Sequence, residues 1–306
     1  MTKIISFGEA LIDMIGNRGK GLIETTTFEK HFGGAPANYT IAVRRLGIKS
    51  ALLTRISNDG FGNFLIKTLK KNKVDTSMIV RTDKKTTLAF VSLNKRGVPE
   101  FAFYRNNTAD LDVRKKDIKE KYFDDVKIFH FCSLSLVEEP VRSSLFHALK
   151  IAKKRKVLIS YDPNLRKDLM KDDTMKYVRR AAKYADVLIP SEEELKQIAN
   201  EKEIDEAALH FKNKRIVVTR GSKGSIMYYK NSKIIVPSFK VNVIDTTGAG
   251  DAFSAGISVG IINGYEGKKL LKFASAVAAL SIQKKGAISS LPKLNDVKKF
   301  LSSRKF

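Results

Sequence analysis

The chain has 306 residues, 43% of them hydrophobic, and carries 57 Lys and Arg against 32 Asp and Glu, a formal net charge of +25. This is the composition of a globular chain with a sizeable core, not of a disordered one, and no apolar run approaches the roughly 20 residues of a membrane helix. The single cysteine, Cys132, excludes an internal disulfide.

The excess of basic residues favours anionic partners. The lysines are nevertheless spread as pairs, such as Lys70 with Lys71 and Lys284 with Lys285, and no aromatic platform is interleaved with them. Specific nucleic-acid binding is therefore not expected. The chain enters an apolar segment at once, without the features of a leader peptide, so the expectation is a cytoplasmic protein with Cys132 as a packed thiol.

In chain order, a strand at 3–7 is followed by an irregular stretch at about 14–33, a helix at 35–46, a strand at 51–56 and a helix at 60–72. A second irregular stretch, about 86–109, holds an alternating run at 88–93 and a turn at 94–97. Strands at 128–132, 157–161, 187–190 and 215–219 then alternate with helices at 141–154, 174–185 and 192–198. Short strands at 226–229, 233–236 and 239–244 precede a helical remainder. Nearly continuous apolar strands separated by helices predict an α/β fold, a mostly parallel sheet covered on both faces. The two irregular stretches read as a small β excursion that covers a site.

The run at 245–251 (DTTGAGD) carries the strongest chemical signal. Gly248 and Gly250 let the backbone turn sharply before a helix expected at 252–262, so successive N–H groups and the positive end of the helix dipole favour a phosphate. Asp251 then stands at the head of that helix, where a capping role is the simpler alternative. No Gly-x-x-x-x-Gly-Lys-Ser/Thr loop occurs, and Gly248-x-Gly250 lacks the third small residue of a dinucleotide fingerprint.

This run resembles the C-terminal signature of the PfkB, or ribokinase-like, carbohydrate kinases. The run Gly33 to Asn38 (GGAPAN) resembles their N-terminal signature, about 200 residues earlier. Segments 8–13 (GEALID), 103–110 (FYRNNTAD), 160–166 (SYDPNLR) and 191–195 (SEEEL) are most similar to fructokinases. The resemblance implies a ribokinase-like three-layer sandwich, one domain over 1–306 with a discontinuous β lid at about 14–33 and 86–109, and a homodimer contact through that lid. It implies ATP-dependent phosphorylation of D-fructose at the 6-hydroxyl. The alternatives are a 2-keto-3-deoxygluconate kinase, another sugar or nucleoside kinase, and, more remotely, a non-catalytic sugar- or nucleic-acid-binding protein on this scaffold.

The resemblance also implies roles. Asp251 is the base, and the N–H groups of Gly248, Ala249 and Gly250 hold the phosphates. Asp13, Gly33, Gly34, Asn38, Phe103, Arg105 and Arg166 contact the sugar, with Arg105 favoured over Arg166. Ser191, Thr219, Gly221, Gly224, Gly250 and Ser275 bind ATP, although Ser191 and Ser275 stand where asparagine is frequent. Glu194 orients Mg²⁺ through water. Asp245, Thr247, Ser281, Lys284, Gly286 and Ser290 surround a monovalent cation such as K⁺.

Overall fold

The structure, a computed structural model, describes residues 1–17, 19–93, 95 and 99–304. Nine strands form one sheet in the order Ser232–Val236, Ser225–Tyr229, Arg215–Thr219, Val187–Leu188, Leu158–Asp162, Ile128–Cys132, Ile4–Phe7, Ser50–Ser57 and Ile79–Thr82. The seven from Arg215–Thr219 onward run parallel, and the first two are added antiparallel at one edge.

Alternation along each strand sorts its residues into cores on opposite faces of the sheet. Ile5, Phe7, Ala51, Leu53, Phe129, Phe131, Ile216 and Val218 pack against Val141–Lys154, Thr174–Tyr184, Glu192–Ala199 and Ile204–Leu209. Ile4, Leu52, Ile56 and Ile128 turn the other way, against Ala35–Arg45, Gly60–Lys71, Ala249–Ile262, Gly267–Ser281 and Leu294–Ser302. Val187 and Val217 extend that second face toward Phe253 and Leu271. Each fully buried Ile, Leu or Phe contributes about 1.5–3 kcal/mol relative to exposure.

A second sheet of four strands stands apart from the first, in the order Phe28–Gly33, Leu11–Gly16, Leu88–Leu93, Pro99–Tyr104. It takes its strands from the two irregular stretches, although its first strand begins at Leu11, earlier than the 14 expected. The turn expected at 94–97 lies, Lys95 apart, outside the described residues.

One expected strand is absent. Residues 239–244 form no ladder. The N–H groups of Ile244 and Asp245 instead reach the Ile282 carbonyl at 2.8 and 3.2 Å, and Val243 and Ile244 remain exposed. The edge strand Ile79–Thr82 is an element that pattern reading missed. Among the described residues no helix is long and apolar enough to cross a membrane.

Candidate active site

Polar side chains collect at the carboxyl ends of the parallel strands, the edge at which open α/β sheets bind ligands. Asp162 ends Leu158–Asp162, Thr219 ends Arg215–Thr219, and Glu9 and Ser191 follow the ends of their strands. Ala249–Ile262 is brought close by glycine. A Cβ on Gly256 would lie 2.7 Å from Ala274 Cα, and one on Gly260 2.5 Å from Leu270 Cδ1, so Gly267–Ser281 packs directly on its backbone.

That helix begins at Ala249, three residues earlier than expected, with Gly248 as its N-cap at φ 76°. Asp251 therefore sits in the first turn, and its carboxylate does not cap. Asn38 Nδ2 donates to Asp251 Oδ2 at 2.9 Å, and Asn38 comes from the first turn of Ala35–Arg45. The two signature runs thus meet at one buried hydrogen bond.

Burial pushes the Asp251 carboxyl up to about 7; the Asn38 donor and Arg166 pull it down, and the charge of Asp13 pushes it up. Asp13 is raised to about 6, again chiefly by burial, with Arg166 opposing. Asp13, Asp251 and Arg166 are therefore electrostatic neighbours. Gly33 is required here: a Cβ on it would lie 2.2 Å from Asp13 Oδ2. Gly34 adopts φ 99°, and a Cβ there would meet the Glu9 carbonyl at 2.6 Å. Across the small sheet Asp13 pairs with Ala89, and Ala89 with Phe103, so Phe103 shares the Asp13 face.

Of the three amides expected to hold phosphate, that of Ala249 donates to the Thr246 carbonyl at 3.1 Å. Gly250 and Asp251 lie where a helix offers no acceptor of its own. A Cβ on Gly250 would meet nothing within 4 Å, so space is open beside its backbone.

Ser191 and Glu194 form a capping box on Glu192–Ala199. Glu194 Oε2 accepts from Ser191 N at 2.8 Å, and Oε1 accepts from Leu165 N at 2.6 Å. Ser191 bridges to Thr219, and Gly221 and Gly224 supply positive φ in the turn that follows. Ser275 is buried on Gly267–Ser281. The Asp245 carboxylate joins two loops, accepting from Thr247 N and Oγ at 2.9 and 2.7 Å and from Gly286 N at 2.8 Å. Ser281 and Ser290 hydroxyls turn back to Ala278 and Ala287 carbonyls, and Lys284 is exposed.

Arg105 is placed differently from the expectation. It is buried, with Nε on Asp110 Oδ2 at 2.8 Å and a terminal nitrogen on the Leu134 carbonyl at 3.0 Å. Exposed Arg166 is the arginine beside Asp13 and Asp251. Of two further buried acids, the sequence assigns Glu9 no role and offers Asp162 only within the 160–166 segment, as a partner for sugar hydroxyls. Asp162 accepts from Ser254 Oγ at 2.8 Å, and burial, with the charges of Glu194 and Asp251, raises its carboxyl well above the usual range. Glu9 accepts from Ala35 N at 3.2 Å, and burial raises it to about 7. Their position just past parallel strands was the available signal.

Among the described residues no three His, Cys, Asp or Glu side chains cluster as a metal site. Mg²⁺ bound with nucleotides takes most of its ligands from phosphates and water and needs only one or two carboxylates. Glu194 beside Asp162 fits that requirement.

The model of the pfkB family of carbohydrate kinases matches residues 1–294. Fructokinase-2 of Solanum lycopersicum is 39% identical, over 94% of this chain and 93% of that one. The fold superposes on a Xylella fastidiosa fructokinase with bound ATP at a TM-score of 0.89, with 31% identity over 99% of both chains. A Vibrio cholerae fructokinase with fructose, ADP and calcium bound gives 0.86, with 33% identity over 98% of this chain and 99% of that one.

Proposed function

The chain belongs to the pfkB family of carbohydrate kinases, and from that premise we propose that it transfers the γ-phosphoryl group of MgATP to the 6-hydroxyl of D-fructose. The observation that carries this reading is the buried Asn38–Asp251 hydrogen bond, which joins the sugar-side and phosphate-side signatures.

In this reading Asp13 and Asn38 hold sugar hydroxyls over the Gly33–Gly34 backbone, and Phe103 lines the same face. Asp251 accepts the proton of the attacking hydroxyl, and a carboxyl near 7 is matched to that task at neutral pH. The Gly248 and Gly250 amides face the phosphates, the Ala249 amide being engaged by the Thr246 carbonyl, and positioning and charge stabilisation account for most of the catalysis. The nucleotide runs past Ser191, Thr219, Gly221, Gly224 and Ser275. Glu194 would hold Mg²⁺ through water, and the ion would supply neutralisation of phosphate charge. The Asp245 loop, with Thr247, Ser281, Lys284, Gly286 and Ser290, would hold a monovalent cation such as K⁺. The small sheet acts as a lid, and the exposure of Ile23, Phe101 and Tyr104 on or beside it supports a homodimer contact there.

A second reading, a kinase for 2-keto-3-deoxygluconate, draws on Arg166, whose guanidinium suits a substrate carboxylate. Arg105 lends it no support, being committed to Asp110. A coupled assay of ADP release over a sugar panel decides between them. The expected kcat/KM for D-fructose is at least about tenfold above that for the keto acid, roughly 1.4 kcal/mol; the reverse order overturns the fructose assignment.

A further inference from the structure

Away from this site, a cleft of about 330 Å³ opens between Val141–Lys154 and Thr174–Tyr184, lined by Lys115, Arg142, His147, Lys150 and Arg180 over Phe146 and Tyr177. Its only acidic lining residue, Glu139, is already engaged, accepting from Arg142 Nε at 2.9 Å and Ser143 N at 3.1 Å. Among the described residues no carboxylate lies within ion-pair distance of Lys115, Lys150 or Arg180. Three unpaired cations thus converge on one concavity, where low-dielectric walls focus their field.

Two of the guanidiniums are fixed by stacking. Arg180 lies 4.3 Å over the Phe146 ring and Arg142 4.0 Å over Tyr177. Contact through the ring face leaves the in-plane N–H donors of Arg180 for phosphoryl oxygens, whereas Arg142 already engages Glu139 and Asp173. The aromatic floor is therefore covered by cations, which disfavours an apolar ligand. The volume suits a metabolite-sized one.

We propose that this cleft is a second ligand site, for a small polyanion carrying two or more phosphoryl groups. It shares no residue with the Asp13–Asn38–Asp251 site, and the argument does not depend on the kinase reading.

Pyrophosphate is the probe, titrated calorimetrically into the full-length protein at about 0.15 M ionic strength, where exposed charges more than about 8 Å apart are screened. A variant of the cleft alone separates binding there from binding at the Gly248 and Gly250 amides, which it leaves intact. Lys150→Gln/Arg180→Gln keeps part of each side-chain stem and removes both charges; Lys70→Gln/Lys71→Gln removes the same charge from an exposed helix end elsewhere. Melting curves establish that each variant is folded. The expected result is a class of pyrophosphate binding that the cleft variant weakens at least about tenfold and the control leaves unchanged. Undiminished binding in the cleft variant, or equal loss in both, overturns the site. Cleft-dependent binding of a 12-nucleotide single strand with none of pyrophosphate would make it a nucleic-acid contact and overturn the small-ligand assignment.

Discussion

Asn38 Nδ2 donates to Asp251 Oδ2 at 2.9 Å across a separation of 213 residues, and both side chains are buried. The amide stabilises the ionised carboxylate without neutralising it, the state a proton acceptor needs. Asp251→Asn is therefore expected to lower kcat by about 10² to 10⁴, while calorimetry shows sugar and ATP binding close to wild type. Near-normal turnover would remove Asp251 from the chemistry.

The burial of Asp251 sets a pH dependence that the Asn38 bond moderates. Burial raises Asp251 to about 7, so the group is mostly protonated, and inactive as a base, below that pH. The kcat/KM profile should fall as pH drops through about 7. Asn38→Leu removes a donor that favours the ionised form, so its acidic limb should move to higher pH. A limb that stays in place would assign the titration to another group.

Gly33 and Asp13 form a steric pair, because a Cβ at 33 would occupy space 2.2 Å from Asp13 Oδ2. Asp13→Ala should raise the sugar KM by the worth of charge-assisted hydrogen bonds, about 1.5–3 kcal/mol each, with the ATP KM little changed. Gly33→Ala should act chiefly through the same carboxylate, its other close contact being the flexible end of Leu11 at 2.8 Å, so the double variant should be little worse than Asp13→Ala alone. Additive losses would separate the two positions.

The cores and the layer order were legible because apolar alternation along each strand is a local signal: Ile4 and Ile5 fall on opposite faces wherever the strand is placed. The glycine runs were legible as well, since positive φ at Gly34 and Gly248 is recorded in residue type. What stayed hidden depends on distant partners. Nothing in the neighbours of Arg105 announces that Asp110 and the Leu134 carbonyl bury it. Asp162 reads as a loop residue until the sheet order sets it against Ser254.

The two arginines should now separate experimentally. The side chains of Arg105 and Asp110 are 4% and 2% exposed, and removing one partner of a buried pair costs about 3–5 kcal/mol. Arg105→Ala should therefore lower Tm markedly. Arg166→Ala, at an exposed position beside Asp13 and Asp251, should leave Tm nearly unchanged and raise the sugar KM. An unchanged Tm for Arg105→Ala, with a raised KM, would return Arg105 to the substrate.

Asp13 lies on the small sheet and Asp251 on a helix of the main body, so a sugar held by both ties the two together. The root of the sheet is already anchored, with Thr87, Thr108 and Arg105 converging on buried Asp110. Movement is thus expected in the strands beyond that root, on the timescale of lid motions. Closure would exclude water from the phosphoryl group and suppress ATP hydrolysis. Adding fructose should therefore slow amide exchange in Leu11–Gly16, Phe28–Gly33, Leu88–Leu93 and Pro99–Tyr104. ATP alone should not, since the contacts proposed for it lie on the main body. In Asp13→Ala the fructose effect should vanish even at sugar concentrations that restore occupancy. Equal protection in wild type with and without sugar would leave the small sheet a fixed part of the fold and not a lid.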